Sequence, residues 1–315
     1  MTLRSVAPSI AVGVAILGVA LASMLFRADA QTTASRAWEP PRTPDGQPDI
    51  QGHWRYRSEN PDAYAFYTLE GVLTEGSRVQ WFMNRGVDRK VPFASVVVDP
   101  PDGKIPYQPW ALARRNELLV VSANPKTPDH VDPRAYCFLA GVPRQTYEAM
   151  GAGPHQIVQT GGHIVMLWQW AHSYRIIPLD NRPHIPASVK LWQGDSRGRW
   201  DGRTLVVDTT NQKANWLDFV GDFHSDALHV TERFTIVDAD TIRYEATLDD
   251  PKTYSKPWKI SMTLHRNTQP GFELREQECT EGDDGRAIQP QYRPAPKGDP
   301  LEFIRTYPAK NEVSK

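Results

Sequence analysis

The most regular hydrophobic pattern in the chain lies between His229 and Asp250. Val230, Phe234 and Ile236, then Ile242, Tyr244, Ala246 and Leu248, fall on even numbers, with polar or charged residues such as Thr231, Arg233, Thr235, Arg243, Glu245 and Thr247 between them. A period of two is that of a strand with one face buried, so two strands are predicted. Paired residues of a hairpin must share a face. A two-residue loop would set Ile236 opposite Thr241 and mix the faces. A three-residue loop at Asp238-Ala239-Asp240 instead pairs Ile236 with Ile242, Phe234 with Tyr244, Val230 with Leu248 and, outside, Arg233 with Glu245.

This register places Glu232 on the apolar face, opposite Ala246. A carboxylate there has lost much of its water, and its pKa should rise unless a cation or hydrogen-bond donors stabilise the charge. Glu232 is read either as a general acid or base or as one half of a buried structural ion pair. Tyr244 lies diagonally across, and Asp250 faces the same side at the end of the second strand. A second strand-like run, Ile164 to His172, puts Ile164, Met166, Trp168, Trp170 and His172 on one face. Looking into a cavity, the two indoles would form a stacking wall with His172 at its rim; looking into a filled core, they would be packing.

Elsewhere the pattern is coarser. Pro109 to Leu118 is predicted helical, with Pro near its start and Leu112 and Leu118 able to share a face. Beyond residue 155, short alternating runs separated by turn dipeptides read as antiparallel sheet. Residues 31–48, rich in Pro, Thr and Arg, read as a flexible N-terminal segment, a tail either laid over the surface or disordered. Residues 49–315 read as a single β-rich domain. Ile10 to Phe26 is an apolar run preceded by Arg4 and followed by Ala28-Asp29-Ala30, so residues 1–30 are read as a signal peptide cleaved after Ala30. An uncleaved anchor is the alternative, since about 17 apolar residues sit at the lower edge of a membrane span. The expected location is the periplasm or the medium, with no stable membrane span after cleavage.

Composition narrows the chemistry. With 36 Lys+Arg against 37 Asp+Glu the chain offers a nucleic acid no electrostatic footprint. Its 2 cysteines are too few for a multi-thiolate metal site, and in an oxidising compartment Cys137 and Cys279 are expected to form a disulfide. The 27 Pro and 21 Gly favour turns and β structure over helices. Neither a Gly-x-Gly-x-x-Gly nor a P-loop occurs, so no nucleotide cofactor is expected. Local histidine spacing matches no metal motif; a site assembled from distant residues such as His155, His172 or His224 is left open. Asp195 and Ser196 suit a turn. Asp218, His224 and Ser225 lie close in one stretch but lack a Gly-x-Ser-x-Gly elbow, and adjacent His and Ser do not attain attack geometry with each other.

Longer motifs add a resemblance. Thr43 to Trp54, Pro106 to Trp110, Cys137 with Gly141 to Arg144, Trp192 to Thr210, His224 to Arg233, Asp250-Pro and Lys256-Pro-Trp258 together resemble a large group of exported bacterial proteins without a settled activity. The resemblance implies that His184, Trp192, Asp195, Ser196, Trp200, Asp218, His224, Ser225, His229, Glu232, Arg233, Tyr244, Asp250 and Trp258 belong to a recurring pattern. The Gly52-His-Trp54 opening is similar to that of lipocalin-like barrels, in which Trp plugs one end.

The expected fold is therefore mainly β: an antiparallel lipocalin-like barrel or strongly curved sheet with a mixed loop and helix cover from about residue 60 to 150. The expected function is an exported cofactor-free enzyme, a lyase, hydratase, isomerase or hydrolase, acting on a small apolar ring-containing molecule. Glu232 is the candidate base or acid, His224 or His172 its complement, Tyr244 a hydroxyl donor and Asp250 a further catalytic candidate. Trp168, Trp170, Trp192 and Arg175 are the candidate substrate-binding residues. A periplasmic carrier using the same aromatic lining is the alternative, and a structural envelope protein with an exposed apolar patch a third.

Overall fold

A computed structural model describes residues 38–56, 95–121, 126–147, 154–218 and 221–275. Cys279 and the expected signal peptide lie outside them. The strands are β1 (Gly52–Tyr56), β2 (Val97–Asp99), β3 (His155–Gln159), β4 (His163–Trp168), β5 (Tyr174–Pro178), β6 (Asp195–Asp201) and β7 (Thr204–Thr210). They continue with β8 (Asn215–Trp216), β9 (Phe223–His224), β10 (His229–Asp238), β11 (Thr241–Asp249) and β12 (Trp258–Arg266). The helices are α1 (Pro109–Val121) and the single turn α2 (Arg144–Tyr147). Nine strands pair antiparallel in the order β5-β4-β3-β1-β12-β11-β10-β7-β6 and curl into a nearly closed barrel of lipocalin-like form. β2 adds to β12, and β8 pairs with β9 as a separate ribbon.

Most strands turn alternate apolar residues toward the barrel interior. Ile157, Ile164, Met166, Ile177, Leu205, Val207, Phe234, Ile242, Ala246, Ile260 and Leu264 are buried together in one core. The β10–β11 register is the expected one, Glu232 opposite Ala246 and Phe234 opposite Tyr244. Its turn is different. Asp238 pairs with Thr241 across only two residues, and a register shift between Ile236 and Asp238 supplies the extra residue that keeps the apolar faces matched. Arg233 stands opposite Glu245 but donates to Asp201 at 3.0 Å.

Trp54 is 1% exposed and its Nε1 donates to the Ile50 carbonyl at 2.9 Å. The Arg266 guanidinium stacks over its ring at 4.3 Å and donates to the Gln51 carbonyl at 2.7 Å. Glycine is required at position 52, where φ is +129° and a Cβ would stand 2.2 Å from Arg266 Nη1. Residues 42–48, part of the segment read from sequence as flexible, form a closed turn on the barrel: Thr43 N–H donates to the Gln47 carbonyl at 2.9 Å, and Gln47 Oε1 accepts from Trp200 Nε1 and Gln159 Nε2 at 3.0 Å each. Of the two readings of this segment's composition, residues 42–48 follow the one in which the tail is laid over the surface, held by bonds to residues far along the chain.

The seam between β5 and β6 is closed by side chains rather than by a backbone ladder. Gly198 on β6 faces Ile177 and Leu179, and a Cβ there would meet both at 2.7 Å. Gly198→Val should therefore destabilise the barrel by about 1–3 kcal/mol. Gly162→Ala, at a position with nothing within 4 Å, should change stability by less than about 0.5 kcal/mol. Urea denaturation checks both, and equal effects would remove the seam from the account.

Candidate functional site

Glu232 is fully buried inside the barrel. Arg175, from β5 across the seam, donates through Nη2 to Glu232 Oε2 at 2.5 Å, and the Tyr244 hydroxyl donates to Oε1 at 2.9 Å. Arg175 also donates through Nε to Ser196 Oγ at 2.9 Å and through Nη2 to Thr209 Oγ1 at 2.7 Å. Burial, and then the negative charge of Glu232, raise the Tyr244 pKa well above its usual value, so the phenol remains a donor. Both carboxylate oxygens are engaged, the charge is balanced, and the group has no exposed edge. That geometry suits a structural ion pair better than a base that must reach a substrate proton.

Around this pair lies a second set of polar groups. Arg144 on α2 makes a bidentate ion pair with Asp132, at 2.9 and 2.6 Å, which fixes α2 beneath the loops. Its neighbour Gln145 donates to Ser173 Oγ at 3.0 Å, and Thr146 stands beside the Tyr244 hydroxyl. His155 pairs with Trp168 across β3 and β4, their ring centroids 5.7 Å apart. Burial lowers the His155 pKa to about 4. Four buried atoms here, Gln145 Oε1, His155 Nε2, Trp168 Nε1 and Arg175 Nη1, have no hydrogen-bond partner in the protein. Each such atom, if left unpaired, costs about 1–3 kcal/mol.

The face expected to run from Ile164 to His172 breaks after Trp168. β4 ends there, and Ala171 and His172 take left-handed φ values of 52° and 45° in a tight turn. Trp170 is buried beneath the Arg134 guanidinium, 4.3 Å from its ring, and His172 is turned to the exposed side. These two are therefore not the continuation of an interior wall. Strand period alone could not register the turn that ends the strand.

His224 sits elsewhere, at a cleft of about 550 Å³ outside the barrel. Trp110, Leu118, Phe138, Trp192, Trp216 and Phe223 wall it, with Arg114 and Asp129, an exposed ion pair, among the lining residues. Trp110 comes from α1, and Phe138 follows Cys137, whose φ of 63° ends a short 3-10 turn over Pro133–Tyr136. Trp192 stacks on Phe138 at 4.5 Å and 13°. The loop carrying Trp192 is pinned by Asn211, whose amide donates to the Ile185, Pro186 and Val189 carbonyls at 3.2, 2.8 and 3.0 Å.

His224 is among the residues that line this cleft, and at 1% exposure its ring is covered by its neighbours. Its Nδ1 is 2.8 Å from the Ser225 carbonyl, which can only accept, so Nδ1 carries the proton and Nε2 presents a lone pair with no partner in the protein. Burial lowers the His224 pKa against the opposing pull of the Ser225 carbonyl and Asp250. Asp250 accepts from Ser225 N–H at 2.6 Å, from Ser225 Oγ at 2.7 Å and from Lys252 N–H at 3.1 Å. Its work is to hold the loop beside His224, and Ser225 serves that loop rather than acting as a nucleophile.

Of the candidates, the fold brings Glu232, Tyr244, Arg175 and Trp168 to the barrel interior, His224 and Trp192 to the cleft, and Asp250 to the loop between strands. His155, Gln145 and Thr146 were not read as interior partners, nor Phe138, Trp110, Trp216 and Phe223 as cleft walls; an aromatic following Cys137 was the nearest signal. Asp195 and Ser196, read as turn residues, lie in β6. Asp195 is 2.8 Å from His184 Nδ1, and Asp208 is 2.8 Å from His184 Nε2 and 2.5 Å from His229 Nε2. Among the described residues no group of three or more His, Cys, Asp or Glu is arranged to hold a metal ion. Comparison with family models, with curated proteins and with solved structures finds no match.

Two outcomes follow from the interior. Arg175→Met or Glu232→Leu alone should cost about 3–5 kcal/mol in a denaturant titration, because each leaves a buried charge without its counterion, whereas the double replacement should cost much less than the sum. Additive losses would mean that the two side chains do not act as a pair. For His155 the folded chain binds fewer protons than the unfolded chain between its ordinary pKa of 6.5 and about 4. Stability should therefore fall as pH drops through that window, by roughly 3 kcal/mol from this group, and His155→Gln should flatten that limb. An unchanged acid limb would contradict it.

Proposed function

We propose that the protein is an exported binder of a small apolar, ring-shaped molecule bearing one O–H or N–H group, held in the aromatic cleft with its donor on His224 Nε2. The reading rests on an aromatic-walled cleft of about 550 Å³ whose lining includes His224; its unpartnered Nε2 is covered in the free protein and becomes available as a ligand displaces the side chains over it. That volume lies within the range of sites for drug-sized ligands, and such sites pair an apolar wall with few oriented polar groups. Export rests on the apolar leader and its Ala28-Asp29-Ala30 site, and the Cys137 to Cys279 bridge belongs to the same proposal. Among the described residues no helix is long and apolar enough to cross a membrane.

A second reading, cofactor-free acid–base turnover of the same molecule, draws on the same imidazole. A tautomer fixed by the Ser225 carbonyl leaves Nε2 oriented to take a proton. Glu232 is replaced in this reading, since its carboxylate is sealed by Arg175 and Tyr244.

Binding of 2-naphthol and of naphthalene, followed by tryptophan fluorescence, separates the contributions. The wild-type chain should prefer 2-naphthol several-fold, about 1 kcal/mol for one net hydrogen bond. His224→Leu should erase that preference while keeping naphthalene binding, and Trp192→Ala should weaken both ligands. Equal affinities in the wild type, or no effect of either change, would remove the cleft as the site. Mass change of a bound hydroxyl-bearing ligand would favour turnover over carriage.

A further inference from the structure

The loop between β5 and β6, residues 179–194, brings Trp192 to the cleft and is fastened near its middle by one imidazole. His184 Nδ1 is 2.8 Å from Asp195 Oδ2 on β6, and its Nε2 is 2.8 Å from Asp208 Oδ2 on β7. An ionised carboxylate only accepts, so a neutral imidazole, with one N–H, satisfies one of these contacts and turns a lone pair on the other. The imidazolium satisfies both. The charges around it alternate in sign. Arg197 donates to Asp195 Oδ1 at 2.7 Å and to the Arg182 and Pro183 carbonyls just before His184 at 3.1 and 2.9 Å. On β10, His229 Nε2 is 2.5 Å from Asp208 Oδ1, and Asp249, opposite His229 on β11, adds a further negative charge. Within the loop Arg182 is paired with Asp180, and at its far end Lys190 Nζ donates to the Asp226 carbonyl at 2.7 Å.

The two histidines differ in what they require. His229 meets one carboxylate, and a neutral ring with its proton on Nε2 keeps that bond. The bond to Asp208 raises the His229 pKa against the effect of burial, and the hydrogen bonds of His229 and then His184 lower that of Asp208. Of the two, only His184 needs both protons. We propose that His184, between Asp195 and Asp208, is a proton-operated latch on the loop 179–194, closed as the imidazolium and released as the pH rises through the titration of this ring. The closed loop holds one proton more than the open loop, so closure is complete at the acid end and is lost as that proton leaves. Ile185 N–H donates to the same Asp195 Oδ2 at 3.1 Å, and the Ile185, Pro186 and Val189 carbonyls lie on Asn211, so the latch sets the path by which the chain reaches Trp192. The latch stands without a ligand; its effect on affinity rests on the cleft being the binding site.

The test uses the full chain labelled with 15N, without ligand, between about pH 5 and 9. The ring-nitrogen shifts of His184 report its protonation, and amide exchange at Ile185, corrected for its intrinsic pH dependence, reports closure of the loop. Protection at Ile185 should fall about threefold or more along the His184 titration, a size fitting a partly exposed ion pair. In Asp208→Asn the side-chain oxygen still accepts from His229 and the amide nitrogen donates to the lone pair of a neutral His184, so protection should stay level as the pH rises. His229→Gln, which can still donate to Asp208, should keep the wild-type pH dependence. Naphthalene affinity should follow Ile185 protection in the wild type and stay level in Asp208→Asn; because exchange is read without ligand, a chain that binds no naphthalene would count against the cleft alone. A His184 ring singly protonated in the closed loop at the acid end, protection that stays level while His184 titrates, or an Asp208→Asn chain that loses protection as the wild type does would overturn the proposal.

Discussion

The ion pair between Arg175 and Glu232 is the contact on which the rest of the barrel depends. It ties β5 to β10, and through Ser196 and Thr209 the same guanidinium reaches β6 and β7. β5 and β6 are the two ends of the sheet order, and among the described residues no backbone ladder joins them. Burying two charges is expensive, and the geometry offsets that expense with a charge-assisted bond on one carboxylate oxygen and a phenol on the other. Gly198 completes the seam by leaving room for Ile177 and Leu179.

A sealed interior shifts the accessible chemistry to the surface. The cleft is built from segments far apart in the chain, α1, the loop after the 3-10 turn, the loop before β6, and the β8–β9 ribbon. Polar contacts hold the loops around it: Arg144 on Asp132, Asn211 on three carbonyls, and Gln212, whose amide pairs with Val142 N–H and C=O at 2.8 and 2.9 Å. Asp250 holds the Ser225 turn so that His224 keeps one tautomer and one orientation. A neutral acceptor in aromatic surroundings selects for a donor on an otherwise apolar molecule.

The sequence made some of this legible and hid the rest for physical reasons. Strand periodicity predicted the β10–β11 register and the inward placement of Glu232, because a one-residue slip would have exposed the whole apolar face. It missed the bulge before Asp238, since a bulge and a longer loop satisfy the same pattern. Period two also carried the β4 face past its end, where left-handed residues 171 and 172 turn His172 away. Arg175 was named as a binding residue, yet its partnership with Glu232 spans 57 residues and leaves no local trace. The cleft was less visible still, because Trp110, Phe138 and Trp216 sit in separate segments whose meeting depends on the closed barrel.

The nitrogen chemical shifts of the His224 imidazole test the central claim most directly, measured at neutral pH with and without 2-naphthol. A protonated Nδ1 and a bare Nε2 in the free protein, with Nε2 alone moving as the phenol binds, is the predicted result. An imidazolium, the opposite tautomer, or an Nε2 signal indifferent to the ligand would contradict it.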